Sequence, residues 1–168
     1  MSYGPVGPIS RDHITEALDC GSESQTTWLR RYALQAQRTD SSRVQVVTHV
    51  DDQHVVGYYA LAAGSVALKH APDHVAKGMP RYPVSVVLLT RLGVDLGEQG
   101  RGLGRALVQD ALIRVASASL EIGARALLIH CESEAVKAFY RKLSDFEDSP
   151  TDPLHLFLLM RDLRKSLG

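Results

Sequence analysis

Cysteine is scarce in this chain, and long apolar runs and net charge are missing from it. Cys20 and Cys131 are the only two thiols in 168 residues. They form no Cys-x-x-Cys pair and stand at no metal-type spacing from any of the seven histidines, so neither a disulfide framework nor a bound metal is expected. A chain of this length buries a sufficient core without cross-links. The longest purely aliphatic stretch, Val86–Leu89, falls far short of the about 18 residues that span a bilayer, so no membrane partner is expected. The opening Met1-Ser2-Tyr3-Gly4-Pro5 has neither the basic nor the apolar region of a secretory signal. A cytoplasmic protein with reduced thiols is the expectation. Nineteen basic side chains balance nineteen acidic ones, which excludes a generic nucleic-acid binder and leaves room for a local basic patch.

What remains is an ordinary globular composition, 45% hydrophobic and 23% charged, without internal repeat or low-complexity tract. Residues 1–168 read as a single domain. Positive charge is concentrated in one segment: residues 66–105 hold six basic and three acidic side chains, and add His70 and His74. Ser10 looks like the cap of a short helix closed by Gly21, and a second helix is expected from Thr27 to Gln37. In it Trp28 and Tyr32 share a face and are expected in the core. Val44–Val50 and Val55–Ala62 read as a hairpin, followed by a proline-broken loop over 66–83 with one helical turn. Val84–Val94 is apolar enough for a central strand. A long helix from Leu103 to Gly123, a strand Ala126–Cys131, a helix Ser133–Leu143 and a strand Leu154–Met160 complete an α/β pattern. An exposed edge on that last strand would favour a homodimer. His130 and Cys131 are expected to pack rather than react, and Glu132 and Glu134 to favour the start of a helix.

Between the central strand and the long helix stands Gln99-Gly100-Arg101-Gly102-Leu103-Gly104-Arg105-Ala106. A glycine-rich turn there binds anions, because glycines let backbone N–H groups approach a phosphate and the helix dipole favours negative charge. Walker A fails, since Arg105-Ala106 stands where Lys-Ser/Thr is required. The dinucleotide Gly-x-Gly-x-x-Gly also fails, because its third glycine would fall on Arg105 or Leu107. Gln99, Gly102 and Gly104 do match Gln/Arg-x-x-Gly-x-Gly/Ala, the pyrophosphate loop of the GNAT N-acetyltransferases, and the chain resembles that family over nearly its whole length.

The resemblance implies an α/β GNAT fold, a central mixed twisted sheet flanked by helices, with a V-shaped splay between two parallel strands. It implies acetyl-CoA as cosubstrate. Leu92, Gly93 and Val94 would hold pantetheine by backbone groups, with an N–H near the thioester carbonyl, and Gln99, Gly100, Arg101, Gly102, Leu103, Gly104 and Arg105 would hold the pyrophosphate. The family's late Asn-x-x-Ala-x-x-x-Tyr pattern reads here from Ser133 to Tyr140. Tyr140 is in register as the acid that protonates the departing thiolate, and Ser133 stands in place of the asparagine at the cofactor. The turn Ser144-Asp145-Phe146 is one residue longer than the family's Gly-Phe.

Asp19–Glu23, Trp28–Ala33, Gly57–Leu61 and Ser149–Leu154 resemble one branch, the toxins of type II toxin–antitoxin pairs. That branch implies transfer of acetyl to the α-amine of aminoacyl-tRNA, inhibition of translation, and a ribbon-helix-helix antitoxin as partner. Lys69, Lys77, Arg81 and Arg91 are then the candidate tRNA contacts. Two alternatives stay open: an acetyltransferase for a small-molecule or protein amine, and a non-catalytic CoA- or partner-binding module.

Overall fold

A computed structural model describes residues 2–168. In chain order the elements are β1 (Gly7–Pro8), α1 (Glu23–Arg31), α2 (Ala33–Arg38), β2 (Arg43–Val47), β3 (Gly57–Val66), α3 (Asp73–Ala76), β4 (Val84–Val94), α4 (Leu103–Ala118), β5 (Ala126–His130), α5 (Glu134–Arg141), β6 (Glu147–Asp148), β7 (His155–Leu159) and α6 (Met160–Leu167). Seven strands form one mixed sheet in the order β1-β2-β3-β4-β5-β7-β6. β4 and β5 are parallel, with a register from Val86↔Ala126 to Leu89↔Ile129. β4 then continues through Thr90–Val94. No helix among the described residues is long and apolar enough to cross a membrane.

The chain divides into two compact units. Met1–Ala62 and Thr90–Ala111 form the first, Ala63–Leu89 and Leu112–Gly168 the second. In the first, Ile9, Leu18, Leu29, Val44, Val46 and Tyr58 build a core against which Trp28 packs. β2 and β3 pair antiparallel from Arg43↔Leu61 to Val47↔Gly57. The first half of α4 lies close on β3: a Cβ on Gly57 would come within 3.0 Å of Leu107, and Tyr59 OH donates to Asp110 Oδ2 at 2.5 Å. In the second unit Val75, Val84, Val86, Leu128, Phe157 and Leu159 form the core. There Arg125 fixes the loop before β4, its Nε donating to Val75 O at 2.9 Å.

Several expectations are corrected. No helix follows Ser10. Ser10 Oγ accepts the Asp12 N–H at 3.3 Å in a turn, and Ile14 exchanges backbone hydrogen bonds with Gln53 and Val55, so the chain there is extended. The helix expected over Thr27–Gln37 starts earlier, where Ser22 Oγ accepts the Gln25 N–H at 3.2 Å. It breaks at Tyr32, whose φ of −120° leaves the helical range. Tyr32 is 56% exposed and lies outside the core. The strands of the hairpin are Arg43–Val47 and Gly57–Val66, with a broader turn than expected. Strand Leu154–Met160 is not an edge. β7 pairs with β5 on one side and β6 on the other, Glu147 opposite Phe157 and Asp148 opposite Leu156. β1, β6 and α6 were not expected. The first two are only two residues long, and α6 follows β7 directly with Leu159 at its N-cap and no capping side chain.

Candidate active site

In the first unit, β4 runs out through Leu92-Gly93-Val94 and the chain turns at Asp95. One Asp95 oxygen accepts the Gly97 N–H at 2.9 Å and the other the Asp19 N–H at 3.0 Å, which fixes the 3-10 turn Leu96–Glu98. Asp95 was missed as a site residue. The signal was present, since Asp-x-Gly after a strand is an Asx-turn pattern. Gln99 is the strut of the loop: its amide donates to Val94 O at 2.9 Å and to Cys20 O at 3.1 Å. Gly93 admits no side chain, because a Cβ there would stand 2.9 Å from Tyr58 Cε1 and 3.2 Å from Cys20 Sγ.

Beyond Gln99, Gly100 and Gly102 have φ of +82° and +83°, a left-handed backbone that only glycine adopts without cost. α4 opens at Leu103 and its first bond runs from the Ala106 N–H to Gly102 O at 3.0 Å. The N–H groups of Arg101 through Arg105 have no hydrogen bond among the described residues. Such a row of donors at the positive end of a 16-residue helix is the arrangement that can receive a phosphate group. Arg105 is exposed there, and Arg101 lies 3.5 Å from Glu98.

Ser133 and Tyr140 lie in the second unit on the helix α5. Ser133 caps it, Oγ accepting the Val136 N–H at 3.2 Å. Tyr140 is 3% exposed, with its ring edge-on to Phe139 at 5.4 Å and to Phe146 at 6.3 Å. The extra residue in Ser144-Asp145-Phe146 therefore still delivers a buried phenylalanine to that ring. Burial, reinforced by the neighbouring Cys131, pushes the ionisation of Tyr140 far above the ordinary phenol range, so its hydroxyl is a donor at every working pH. Burial also pushes the Cys131 thiol up to about 11, which leaves it protonated and inert. His130 stacks on His155 at 4.0 Å; burial and then that neighbour hold it below the usual imidazole range.

The candidate tRNA contacts are divided. Lys69, Lys77 and Arg81 are exposed in the second unit and carry no side-chain partner among the described residues. Arg91 belongs to the first. Its guanidinium donates to Ser24 Oγ at 3.0 Å and lies 5.5 Å from the Trp28 ring centroid. His70 and His74 are engaged, with Thr151 and Asp162 at 2.8 Å each.

A mixed sheet with one parallel pair, a strand running on past that pair and a glycine-turned loop opening a long helix define an acetyltransferase. The chain belongs to the Acetyltransferase (GNAT) family, whose profile matches residues 12–146. It is 48% identical over 166 residues to the tRNA-acetylating toxin of Mycobacterium tuberculosis, covering 99% of this chain and 98% of that one. AtaT complexed with acetyl-methionyl-tRNAfMet shares the fold with a TM-score of 0.88 at 24% identity, covering 98% of this chain and 99% of that one. A tyrosine-to-phenylalanine mutant of AtaT, bound to the C-terminus of the antitoxin AtaR and acetyl-CoA, shares it at 0.81 and 22% identity, with 99% and 98% covered.

Proposed function

We propose that this protein is a toxin that transfers the acetyl group of acetyl-CoA to the α-amine of an amino acid carried on tRNA, and so blocks translation. The observation that carries this reading is the 48% identity, from end to end, with a tRNA-acetylating toxin. The site fits the cosubstrate independently: the N–H groups of Arg101–Arg105, without a hydrogen bond among the described residues, suit the diphosphate. The amine attacks the thioester carbonyl, which a backbone N–H at Leu92–Val94 polarises. The C–N bond forms, the C–S bond breaks, and Tyr140 donates the proton that the leaving sulfur takes. The nitrogen loses its own proton to water. Because Tyr140 holds its proton so firmly, donation is concerted with C–S cleavage. Ser133 places Tyr140 by capping α5. Lys69, Lys77, Arg81 and Arg91 are the candidate contacts to tRNA phosphates.

The toxin acts in the cytoplasm, where charged tRNA is found, as a homodimer held in check by a ribbon-helix-helix antitoxin. Labelled acetyl-CoA, total aminoacyl-tRNA, uncharged tRNA and the Tyr140→Phe variant test the reading together. Label on charged tRNA alone, lost in the variant, is expected. Transfer to small or protein amines instead would replace the substrate; acetyl-CoA binding without any transfer would leave a binding module. Sedimentation velocity tests the dimer.

A further inference from the structure

We propose that Tyr3 and His49 are positioning residues for the cosubstrate: they anchor Glu98, and through it set Arg101 and the glycine-rich loop for the acetyl-CoA diphosphate. The inference deepens the loop's assignment above and rests on it. All three partners meet at one carboxylate oxygen. Tyr3 OH donates to Glu98 Oε1 at 2.7 Å, His49 Nε2 lies at 3.2 Å and Arg101 Nη1 at 3.5 Å. The Glu98 side chain is 13% exposed and that of His49 10%, while that of Arg101 reaches 56%. A shielded carboxylate is thus held from two directions and holds an accessible guanidinium in the third. The Tyr3 and His49 rings stack at 5.0 Å, and the bridge Tyr3↔His49 ties the N-terminal segment to the chain just after β2.

Two further details point to positioning rather than packing. His49 Nδ1 is buried without a hydrogen-bond partner among the described residues, so the ring sits where its bond to Glu98 requires and not where both nitrogens would be satisfied. The next residue, Gln99, is anchored separately to Val94 and Cys20, so the two residues that lead into the loop are both fixed. A loop whose N–H groups must meet phosphate oxygens gains affinity by being ordered beforehand.

Removing Glu98 also removes a negative charge beside the anion, two effects of opposite sign. The informative variants are therefore Tyr3→Phe and His49→Phe, which keep the carboxylate and the ring stack and remove one bond each. Calorimetry gives the Kd of acetyl-CoA, and competition against it gives that of acetyl-pantetheine, which lacks the diphosphate. Each variant is expected to weaken acetyl-CoA about threefold and the double variant about tenfold, the scale of one charge-assisted hydrogen bond, with acetyl-pantetheine unchanged. His49→Phe, freed of the unbonded nitrogen, is expected to melt no lower than the parent while binding more weakly. Unchanged acetyl-CoA binding, or equal weakening of both donors, overturns the inference. Should His49→Phe fail to fold, Tyr3→Phe decides alone. A parent protein that binds both donors equally overturns the diphosphate assignment itself, and this inference with it.

Discussion

Gly93 and Gly102 bracket the proposed cosubstrate loop for different physical reasons, so alanine at each should fail differently. Gly102 has a φ of +83° but open space where a Cβ would go, so its penalty is backbone strain alone. Holding an alanine in the left-handed region costs about 1–2 kcal/mol. In a domain of this size that lowers Tm by about 2–8 °C, unless the loop relaxes to relieve it. Relaxation turns away the N–H groups of Arg101–Arg105, and losing one hydrogen bond to a charged phosphate costs about 1.5–3 kcal/mol, a tenfold or greater loss of affinity. At Gly93 the backbone is ordinary, and the obstacle is Tyr58 Cε1 at 2.9 Å. That ring is 0% exposed and tied down by its hydroxyl, which donates to Gln25 O at 2.7 Å, so it has nowhere to retreat. Overpacking of this kind costs about 1–3 kcal/mol in stability. Differential scanning calorimetry and acetyl-CoA titration on both variants separate the two outcomes. Gly102→Ala should lose affinity out of proportion to its Tm, and Gly93→Ala should lose Tm first. A Gly102→Ala variant that melts like the parent, its loop therefore relaxed, and still binds acetyl-CoA like the parent would refute the phosphate assignment of the loop.

Tyr140→Phe should lower kcat by about 10²–10⁴, the usual worth of a general acid, and leave the acetyl-CoA Kd unaltered; steady-state kinetics beside calorimetry checks the split. Alanine at Lys69, Lys77 and Arg81 together should reduce the slope of log K against log salt for tRNA by about two to three, at about 0.7–0.9 per phosphate, in a filter-binding series. Cys131 has a folded value of about 11 against an ordinary 9, so the unfolded chain releases that proton first and stability falls as pH rises from 9 to 11. Cys131→Ala should flatten that decline in alkaline chemical denaturation.

The parts of the fold legible in the sequence were those with a strong local pattern. Val84–Val94 is read to the residue because eleven consecutive positions suit a buried strand and Asp95 ends it. α4 starts at Leu103, straight after the left-handed Gly102, though it closes at Ala118 and not Gly123, the intervening residues forming turns. Where the outcome depended on a distant partner, local reading failed. Ser10 has the chemistry of an N-cap, yet Ile14 finds better backbone partners in Gln53 and Val55, and a tertiary contact overrides the propensity. β7 looks like a free edge until Glu147 and Asp148, two acidic residues with no strand signature, pair against it.

At the site the same division separates the loop from its support. Gln99, Gly102 and Gly104 mark a candidate anion site because the backbone geometry they permit is local, and Gly102 has the positive φ such a turn needs. Glu98 carries no such mark. Beside Gln99 it reads as one more solvated acid, and only the fold brings it to Tyr3, 95 residues away in sequence, and to His49. The tyrosine bond, more than His49 or Arg101, then holds its carboxyl below the usual range against the opposing effect of burial. A motif records which residues can face a phosphate, whereas the residues that hold the motif in place are chosen by whatever strand happens to lie beside it. Their identities are free to differ wherever the same anchor can be built from other side chains, so a pattern of the loop alone leaves them invisible.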